Sequence, residues 1–288
     1  MMTETYSPGQ PIWCAGCGHF GVQGALSYAL KALNIPSHKT IILAGIGCSG
    51  TIQNNLGTYG YHAMHGRVLP TAIGTALANP DLTVVAAGGD GDGYAIGAGH
   101  FVHTLKRNPS LVYIVMNNGI YGLTKGQDSP TKQGPEWAPE EEALDAIALG
   151  LSIQSSTFLA RGFTGAPEQL DQLIIKALEH AHSGRGFAFI EVMSPCVTYN
   201  DTYPNWDAMV YDVANIAGYD AGDRAAAFAA CLRLKEKNHI PTGIIYQGEH
   251  PTFESALLKN STRPLARVDA DTSGYRRQMD DILSACRV

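Results

Sequence analysis

Residues 88–127 read GGDGDGYAIGAGHFVHTLKRNPSLVYIVMNNGIYGLTKGQ, and this stretch decides the fold. The apolar run at 82–87 leads into it and predicts a buried strand that ends in an acidic glycine turn. The next segment, 94–106, has helical periodicity, and a second apolar run at 111–116 predicts another strand that ends at two asparagines. The unit is therefore strand, glycine turn, helix, strand and paired amides.

The two strands of such a unit are parallel, so the residues that follow them emerge at the same carboxyl edge of the sheet. Asp90 follows the first strand and Asn118 the second, and their oxygen atoms suit Mg²⁺, which often bridges to phosphate groups. Gly91 and Gly93 leave backbone N–H groups free to approach phosphate oxygens at the start of the helix. These features predict a magnesium–diphosphate site. The alternative is a glycine turn and an asparagine cap in an ordinary doubly wound domain.

The spacing of the two halves of this site resembles a known motif. Gly89-Asp90-Gly91, followed after 25 residues by Asn117-Asn118, is similar to the motif of thiamine diphosphate enzymes. The resemblance implies that Asp90 and Asn118 hold the metal, that Ile120 adds its backbone carbonyl and that Gly91 contacts diphosphate. The residues expected to bind the cofactor are Ile46, Gly47, Cys48, Ser49, His65, Gly91, Asp92, Gly122, Leu123 and Thr124.

The composition excludes several classes of protein. Only 16% of the 288 residues are charged and the net charge is −6, so nothing indicates binding to nucleic acid or to an anionic membrane. No segment approaches the roughly 20 apolar residues of a membrane span, and the N-terminal residues lack a signal-peptide pattern. We therefore expect a cytoplasmic protein, in which the six cysteines are ligands or thiols rather than disulfides.

Four of the cysteines are placed to converge. Cys14 and Cys17 form a glycine-flanked C-x-x-C pair, and Cys48 and Cys196 each follow a predicted strand, which brings them to the carboxyl edge. This pattern favours a [4Fe–4S] cluster; a redox dithiol and a structural zinc site are the alternatives. Cys231 lies in an alanine-rich predicted helix, where we expect it to pack as a small hydrophobic residue.

The glycines at 45, 47 and 50 match a dinucleotide-binding fingerprint, but their context does not. Such a site needs a helix and then an acidic residue about 20 positions on, whereas this sequence has no acid until Asp81. We interpret the segment as an active-site loop. In it, His65 is a candidate to bond a diphosphate or a substrate carboxylate, and Arg67 offers a bidentate fork to an acid. The alternative is a loop histidine and a salt-bridged arginine.

The alternation of predicted strands and helices indicates a doubly wound, mostly parallel α/β fold. We expect one such domain over residues 1–200 and a C-terminal extension over 201–288 that contacts other subunits. In the extension, the segment 243–247 is predicted to be an edge strand.

The cysteines, the thiamine motif and the segment GTYGYHAMHGR at 57–67 together resemble the β subunit of 2-oxoacid:ferredoxin oxidoreductases. The resemblance covers nearly the whole chain, and the segment 57–67 is most similar to the 2-oxoglutarate branch. It implies thiamine diphosphate, Mg²⁺ and one [4Fe–4S] cluster. It also implies an α subunit, often fused to a γ domain, that covers the pyrimidine and supplies the activating glutamate, in an αβ heterodimer or a dimer of heterodimers.

The implied reaction is the reversible, coenzyme A-dependent oxidative decarboxylation of a 2-oxoacid, with electrons leaving through the cluster to ferredoxin. For 2-oxoglutarate the products are succinyl-CoA and CO₂. Arg67 and Lys125 are candidates to bind the carboxylates of the substrate or the phosphates of coenzyme A. Enzymes for pyruvate or branched 2-oxoacids, a nonredox thiamine enzyme with a structural metal site, and a purely electron-transferring subunit are the alternatives.

Overall fold

The computed structural model describes residues 10–132 and 142–257, together with positions 279 and 284. The strands are β1 (Thr40–Ala44), β2 (Tyr59–His62), β3 (Thr83–Gly89), β4 (Val112–Asn117), β5 (Ile120–Tyr121), β6 (Gln127–Asp128), β7 (Phe158–Phe163), β8 (Ala188–Met193), β9 (Val210–Asp212) and β10 (Ile240–Gln247). The helices are α1 (His19–Ala32), α2 (Val68–Ala78), α3 (Ala98–Arg107), α4 (Ala146–Ser152), α5 (Pro167–His182), α6 (Tyr203–Met209), α7 (Arg224–Glu236) and α8 (Phe253–Leu257).

Eight strands form one sheet in the order β2-β1-β3-β4-β8-β7-β10-β9. The first six are parallel, β10 runs antiparallel to β7, and β9 is parallel to β10. Strands β5 and β6 form a small separate hairpin. The predicted doubly wound, mostly parallel α/β fold is confirmed.

Strand β4 illustrates how the apolar runs produce this architecture. Its six residues are all buried, as expected of a parallel strand covered on both faces by helices. Because successive side chains point to opposite faces, Ile114 and Met116 pack with residues of α1 and α5, whereas Tyr113 and Val115 pack with residues of α2 and α3. The sheet thus lies between two hydrophobic layers.

The structure differs from the predicted elements in three places. The helix predicted at 94–106 begins as a π-helical turn, Gly91–Ile96, and becomes regular only at Ala98. The loop after β1 contains β2, which pairs with β1 at the sheet edge through its backbone and leaves its four residues exposed, so its hydrophobic pattern was uninformative. The segment predicted as an edge strand is part of β10, which is covered by β9.

The C-terminal part of the chain adds β9 and β10 to the main sheet. The division near residue 200 stays a prediction. The helix predicted to start at residue 141, which lies outside the described residues, is present as α4, and the Asp145 side chain caps it by accepting the N–H groups of Ile147 and Ala148. Within the part of the chain that the structure describes, no helix is long and apolar enough to cross a membrane.

Candidate active site

Several predicted site residues follow the carboxyl ends of four neighbouring strands, β1, β3, β4 and β8. Asp90 follows β3 directly and Asn118 follows β4, and these two strands pair in parallel register, with Gly89 opposite Met116. Cys48 lies four residues beyond β1, and Cys196 lies three residues beyond β8. The backbone N–H of Ser194 also bonds the carbonyl of Asn117 at 2.7 Å, which joins the ends of β8 and β4. The sequence-remote segments therefore meet at one edge.

Asp90 is a buried carboxylate held by two hydroxyl groups. Its Oδ2 atom accepts hydrogen bonds from Ser129, and from Thr131 at 2.5 Å. Burial raises the pKa of Asp90, although the two hydroxyl bonds oppose that shift by favouring the charged form. A cation beside the carboxylate would offset the cost of burying its charge, so this group fits a metal ligand.

The asparagine pair continues this cluster of oxygen atoms. Asn118 Oδ1 accepts the N–H of Ile120 at 3.1 Å, which turns the chain sharply after β4. The Asn118 carbonyl in turn accepts a hydrogen bond from the Asn200 side chain at 2.8 Å, and Asn200 is bonded through its backbone to Cys196. The loop that carries Cys196 is thus tied directly to the loop that carries Asn118.

A cavity of about 280 Å³ lies over this edge. Its volume is slightly below the usual range for small-molecule sites, about 300–1,000 Å³. All ten residues predicted to bind the cofactor line it, as do the three predicted magnesium ligands. The other lining residues are His19, Gly89, Met116 and Tyr121.

The two cationic residues predicted to bind carboxylates or phosphates do not line this cavity. Arg67 donates from Nη1 to the backbone carbonyls of Gly66 and Ile96, each at 3.3 Å. Lys125 is exposed on a turn with a positive φ of 76°. Their roles toward carboxylates or phosphates stay predictions.

Asp92 positions three other residues through hydrogen bonds, and two of them line the cavity. Its Oδ1 atom accepts the N–H groups of Ile46 and Gly66, at 2.9 and 2.8 Å, and contacts His65 Nδ1 at 2.8 Å. Because a carboxylate only accepts hydrogen bonds, Nδ1 of His65 carries a hydrogen, and in the neutral ring Nε2 is an acceptor. One buried side chain therefore holds two loops and one imidazole.

The four predicted cluster cysteines come together at this edge. A methyl group placed on Gly122 would lie 3.5 Å from Cys48 Sγ, 3.9 Å from Cys196 Sγ and 3.9 Å from Asn118 Nδ2. The pKa of Cys17 is raised to about 11, chiefly by burial, and the charges of Cys196, Cys48 and Cys14 add to the shift. Positively charged iron would favour the thiolate forms that such crowding disfavours.

No three His, Cys, Asp or Glu side chains of the described segments are arranged to hold a single metal ion. That result concerns mononuclear sites such as zinc; in a [4Fe–4S] cluster each thiolate binds a different iron. The prediction that Cys231 packs as a hydrophobic residue is confirmed, since it is buried in the layer containing α7.

Two contacts hold the C-x-x-C segment in place, and one of them involves a residue that sequence reasoning missed. Trp13 Nε1 donates to the Cys48 carbonyl at 2.7 Å. His19 Nδ1 lies 2.7 Å from Ser194 Oγ, and burial lowers the pKa of this histidine to about 4. His19 was overlooked because only the fold brings it beside residue 194.

Ser129, Thr131 and Asn200 were missed for the same reason. The two hydroxyl residues follow the β5–β6 hairpin, and no local sequence pattern marks them as partners of Asp90. Asn200 lies in the segment after β8 that the sequence treats as the start of an extension.

Comparison with known families gives two matches along the chain. A family model described as "Thiamine pyrophosphate enzyme, C-terminal TPP binding domain" matches residues 45–192. A second family model, which describes the C-terminal region of the pyruvate ferredoxin oxidoreductase beta chain, matches residues 196–261. Together they cover the thiamine motif, Cys48, Cys196 and strands β9 and β10, whereas Cys14 and Cys17 precede the matched region.

Individual proteins are similar over most of the chain. A 2-oxoacid:ferredoxin oxidoreductase subunit beta from a Sulfolobus species is 38% identical over 279 residues, 89% of this chain and 88% of the relative. The 2-oxoglutarate synthase subunit KorB of Methanocaldococcus jannaschii is 39% identical over 194 residues, 65% of this chain and 70% of that protein.

Among solved structures, a 2-oxoglutarate:ferredoxin oxidoreductase from Magnetococcus marinus superposes with a TM-score of 0.82 and 34% identity. The match covers 99% of this chain and 95% of that chain. That structure contains 2-oxoglutarate, coenzyme A and succinyl-CoA.

Proposed function

Because this chain belongs to the family of 2-oxoacid:ferredoxin oxidoreductase β subunits, we propose that it acts on 2-oxoglutarate with coenzyme A, using magnesium, a [4Fe–4S] cluster and ferredoxin. The chain is a subunit of an oxidoreductase with a thiamine diphosphate-binding domain, which implies an α partner. The observation that carries the proposal is the meeting of the Cys48 and Cys196 thiols with the Asn118 amide around Gly122.

The residues divide into two adjacent sets. Asp90, Asn118 and the carbonyl of Ile120 would hold Mg²⁺ against the diphosphate, with Gly91 beside it. Cys14, Cys17, Cys48 and Cys196 would hold the cluster. When bound, thiamine diphosphate supplies an electron sink for decarboxylation, and the cluster supplies a one-electron acceptor next to it. A nonredox thiamine enzyme would have no use for four converging thiols.

His65 would serve the same cavity. Its Nε2 atom is oriented by Asp92 and can accept a hydrogen bond from a hydroxyl group, or donate one to an anion once the ring is protonated. The cavity lining contains no lysine or arginine among the described residues. We therefore propose that the α subunit supplies the cation that binds the distal carboxylate of 2-oxoglutarate. Arg67 and Lys125 of this chain are the alternative.

The choice of 2-oxoglutarate is supported by the relatives named 2-oxoglutarate synthase and by the Magnetococcus structure that contains 2-oxoglutarate and coenzyme A. Pyruvate is the second candidate, since the family model over 196–261 is named for pyruvate ferredoxin oxidoreductase.

The test is anaerobic purification of the complex with its α subunit. We expect thiamine, magnesium, and iron and sulfide in the ratio of a [4Fe–4S] cluster, and ferredoxin reduction that requires coenzyme A and is fastest with 2-oxoglutarate. The isolated β chain should be inactive. Faster turnover of pyruvate or branched 2-oxoacids would refute the substrate assignment, and a colourless complex with thiamine would refute the redox function.

The cluster ligands have a matched pair of variants. Cys196→Ala should lose iron and the visible absorbance of the cluster, because one of its four thiolates is removed. Cys231→Ala, which removes a buried thiol in the helical layer, should keep both. Iron content and visible spectra of the two purified complexes test this prediction. An unchanged spectrum for Cys196→Ala would exclude Cys196 as a cluster ligand.

A further inference from the structure

We propose that the Nε2–H group of His19 is a fixed hydrogen-bond donor to a sulfur atom of the cluster and thereby raises the reduction potential of that cluster. The inference depends on the proposed cluster, and it assigns a tuning role to a side chain that is neither a ligand nor a part of the magnesium site. It starts from the surroundings of the His19 ring.

The ring of His19 is held on two sides. Its Nδ1 atom lies 2.7 Å from Ser194 Oγ, and its face packs edge-on against Trp13, with the ring centroids 5.5 Å apart. His19 is only 1% exposed, yet it lines the cavity. Among the described residues, its other nitrogen, Nε2, has no hydrogen-bond partner. The remaining polar atom of a rigid ring is thus available to whatever fills the cavity.

The hydroxyl group of Ser194 determines which nitrogen carries the hydrogen. Ser194 is fully buried and does not line the cavity, and within the described chain His19 Nδ1 is the one acceptor near its Oγ atom. A buried hydroxyl group that donates to nothing is costly, so Ser194 donates to Nδ1. A neutral imidazole that accepts at Nδ1 carries its hydrogen on Nε2, and a protonated imidazole does so as well. Nε2 is a donor in either state.

A cluster sulfur is the acceptor that this position favours. The backbone N–H of His19 lies close to the Cys17 thiol. The ring is bounded by Trp13, which bonds the Cys48 carbonyl, and by Ser194, which lies two residues before Cys196. The N–H of Gly18 also bonds the Pro195 carbonyl at 3.0 Å. The His19 ring therefore lies beside the three segments that carry the four thiols, and it shares the cavity lining with Cys48.

Hydrogen bonds to sulfur stabilise the reduced cluster, which carries more negative charge, and so raise its reduction potential. Because the His19 ring is already held in place, the donor does not have to move when the cluster is reduced. The prediction is that removal of this hydrogen makes the cluster harder to reduce while leaving its four ligands in place.

The experiment is a redox titration of the purified αβ complex followed by electron paramagnetic resonance, with iron and sulfide analysis. His19→Phe removes the donor and keeps a ring against Trp13, and we expect a shift to a more negative potential at unchanged iron content. His19→Gln, which retains an N–H group, should lie between wild type and His19→Phe. Ser194→Ala frees Nδ1 to carry the hydrogen and should shift the potential in the same direction. His103→Phe, on the exposed face of α3, is the control and should leave the potential unchanged.

The outcomes separate the possible roles. An unchanged potential in iron-replete His19→Phe would overturn the proposal, as would a loss of thiamine affinity alone, which would place the acceptor on the cofactor. Loss of iron in all three variants of His19 and Ser194, in folded complexes, would make His19 a structural residue and also overturn it. Absence of a cluster from the wild-type complex would instead refute the proposed function.

Discussion

His65 and His19 face the same cavity with opposite hydrogen-bonding character. The Asp92 carboxylate can only accept, so the neutral ring of His65 presents an acceptor at Nε2. The buried hydroxyl of Ser194 donates to His19, so this ring presents a donor at Nε2. The two histidines thus differ because of the group bonded to Nδ1. This group is the Asp92 carboxylate for His65 and the Ser194 hydroxyl for His19.

We expect cofactor binding to depend most on Asp90, the proposed charged ligand of the metal. Asp90→Ala removes the charged ligand and leaves Ser129 and Thr131 without their acceptor. We expect magnesium-dependent binding of thiamine diphosphate to weaken at least about 100-fold, corresponding to about 3 kcal/mol for a lost charged partner. The absorbance of the cluster should be retained. Equilibrium dialysis of the complex with thiamine diphosphate measures the effect.

Glu179→Gln is the control for Asp90→Ala. It neutralises an exposed carboxylate on α5 that is paired with Lys176, far along the chain from the metal loop. Its affinity for thiamine diphosphate should equal that of the wild type. Wild-type affinity in Asp90→Ala would contradict the metal assignment.

At the scale of elements, the glycine-rich turn after β1 serves packing rather than dinucleotide binding. A methyl group on Gly45 would overlap the Asp92 carboxylate, and one on Gly50 would overlap the carbonyl oxygen of Gly45. These glycines let the Cys48 turn close onto the turn after β3. The pattern that resembles a nucleotide fingerprint therefore arises from the approach of two strand ends.

Gly45→Ala tests this close approach. The added methyl group must displace the Asp92 carboxylate, which breaks its bonds to Ile46, Gly66 and His65. We expect a loss of about 3 kcal/mol in the free energy of unfolding, measured by urea denaturation. Gly24→Ala, on the exposed side of α1 where a methyl group meets nothing within 4 Å, should be neutral or stabilising by up to about 1 kcal/mol. Equal stability of the two variants would contradict this account.

For the whole molecule, buried neutral histidines link stability to pH. Burial lowers the pKa of both His19 and His180 to about 4, from 6.5. Below pH 6.5 the unfolded chain binds protons at these positions and the folded chain does not, so stability falls as the pH drops toward 4. Each such group contributes at most about 1.4 kcal/mol per pH unit. The raised pKa of Asp90 acts in the opposite direction, because the folded state then binds its proton more readily than the unfolded state.

The difference between wild type and His180→Gln isolates one of these groups. His180 Nε2 lies 3.1 Å from Thr157 Oγ1, and glutamine can place an amide near the same position. We expect the variant to lose less stability than the wild type between pH 7 and pH 5, as measured by urea unfolding at each pH. Parallel pH profiles would show that folding does not lower the pKa of His180.

The order of residues was enough to predict the parallel sheet and the edge at which the site forms. Continuous apolar runs such as β4 are buried on both faces, and parallel strands deliver whatever follows them to one edge, so Asp90, Asn118, Cys48 and Cys196 could be placed together without coordinates. These are local patterns combined with a topological rule, and both are readable from the order of residues.

The contacts between segments far apart in the chain became visible only in the folded molecule. The bonds from His19 to Ser194, from Thr131 to Asp90 and from Asn200 to Asn118 join positions whose neighbours in sequence carry no mark of their partners. The same holds for β9 covering β10 and for the side-chain directions that keep Arg67 and Lys125 out of the cavity lining. Such contacts depend on how loops fold back over the sheet edge, which is set by packing in three dimensions rather than by local periodicity.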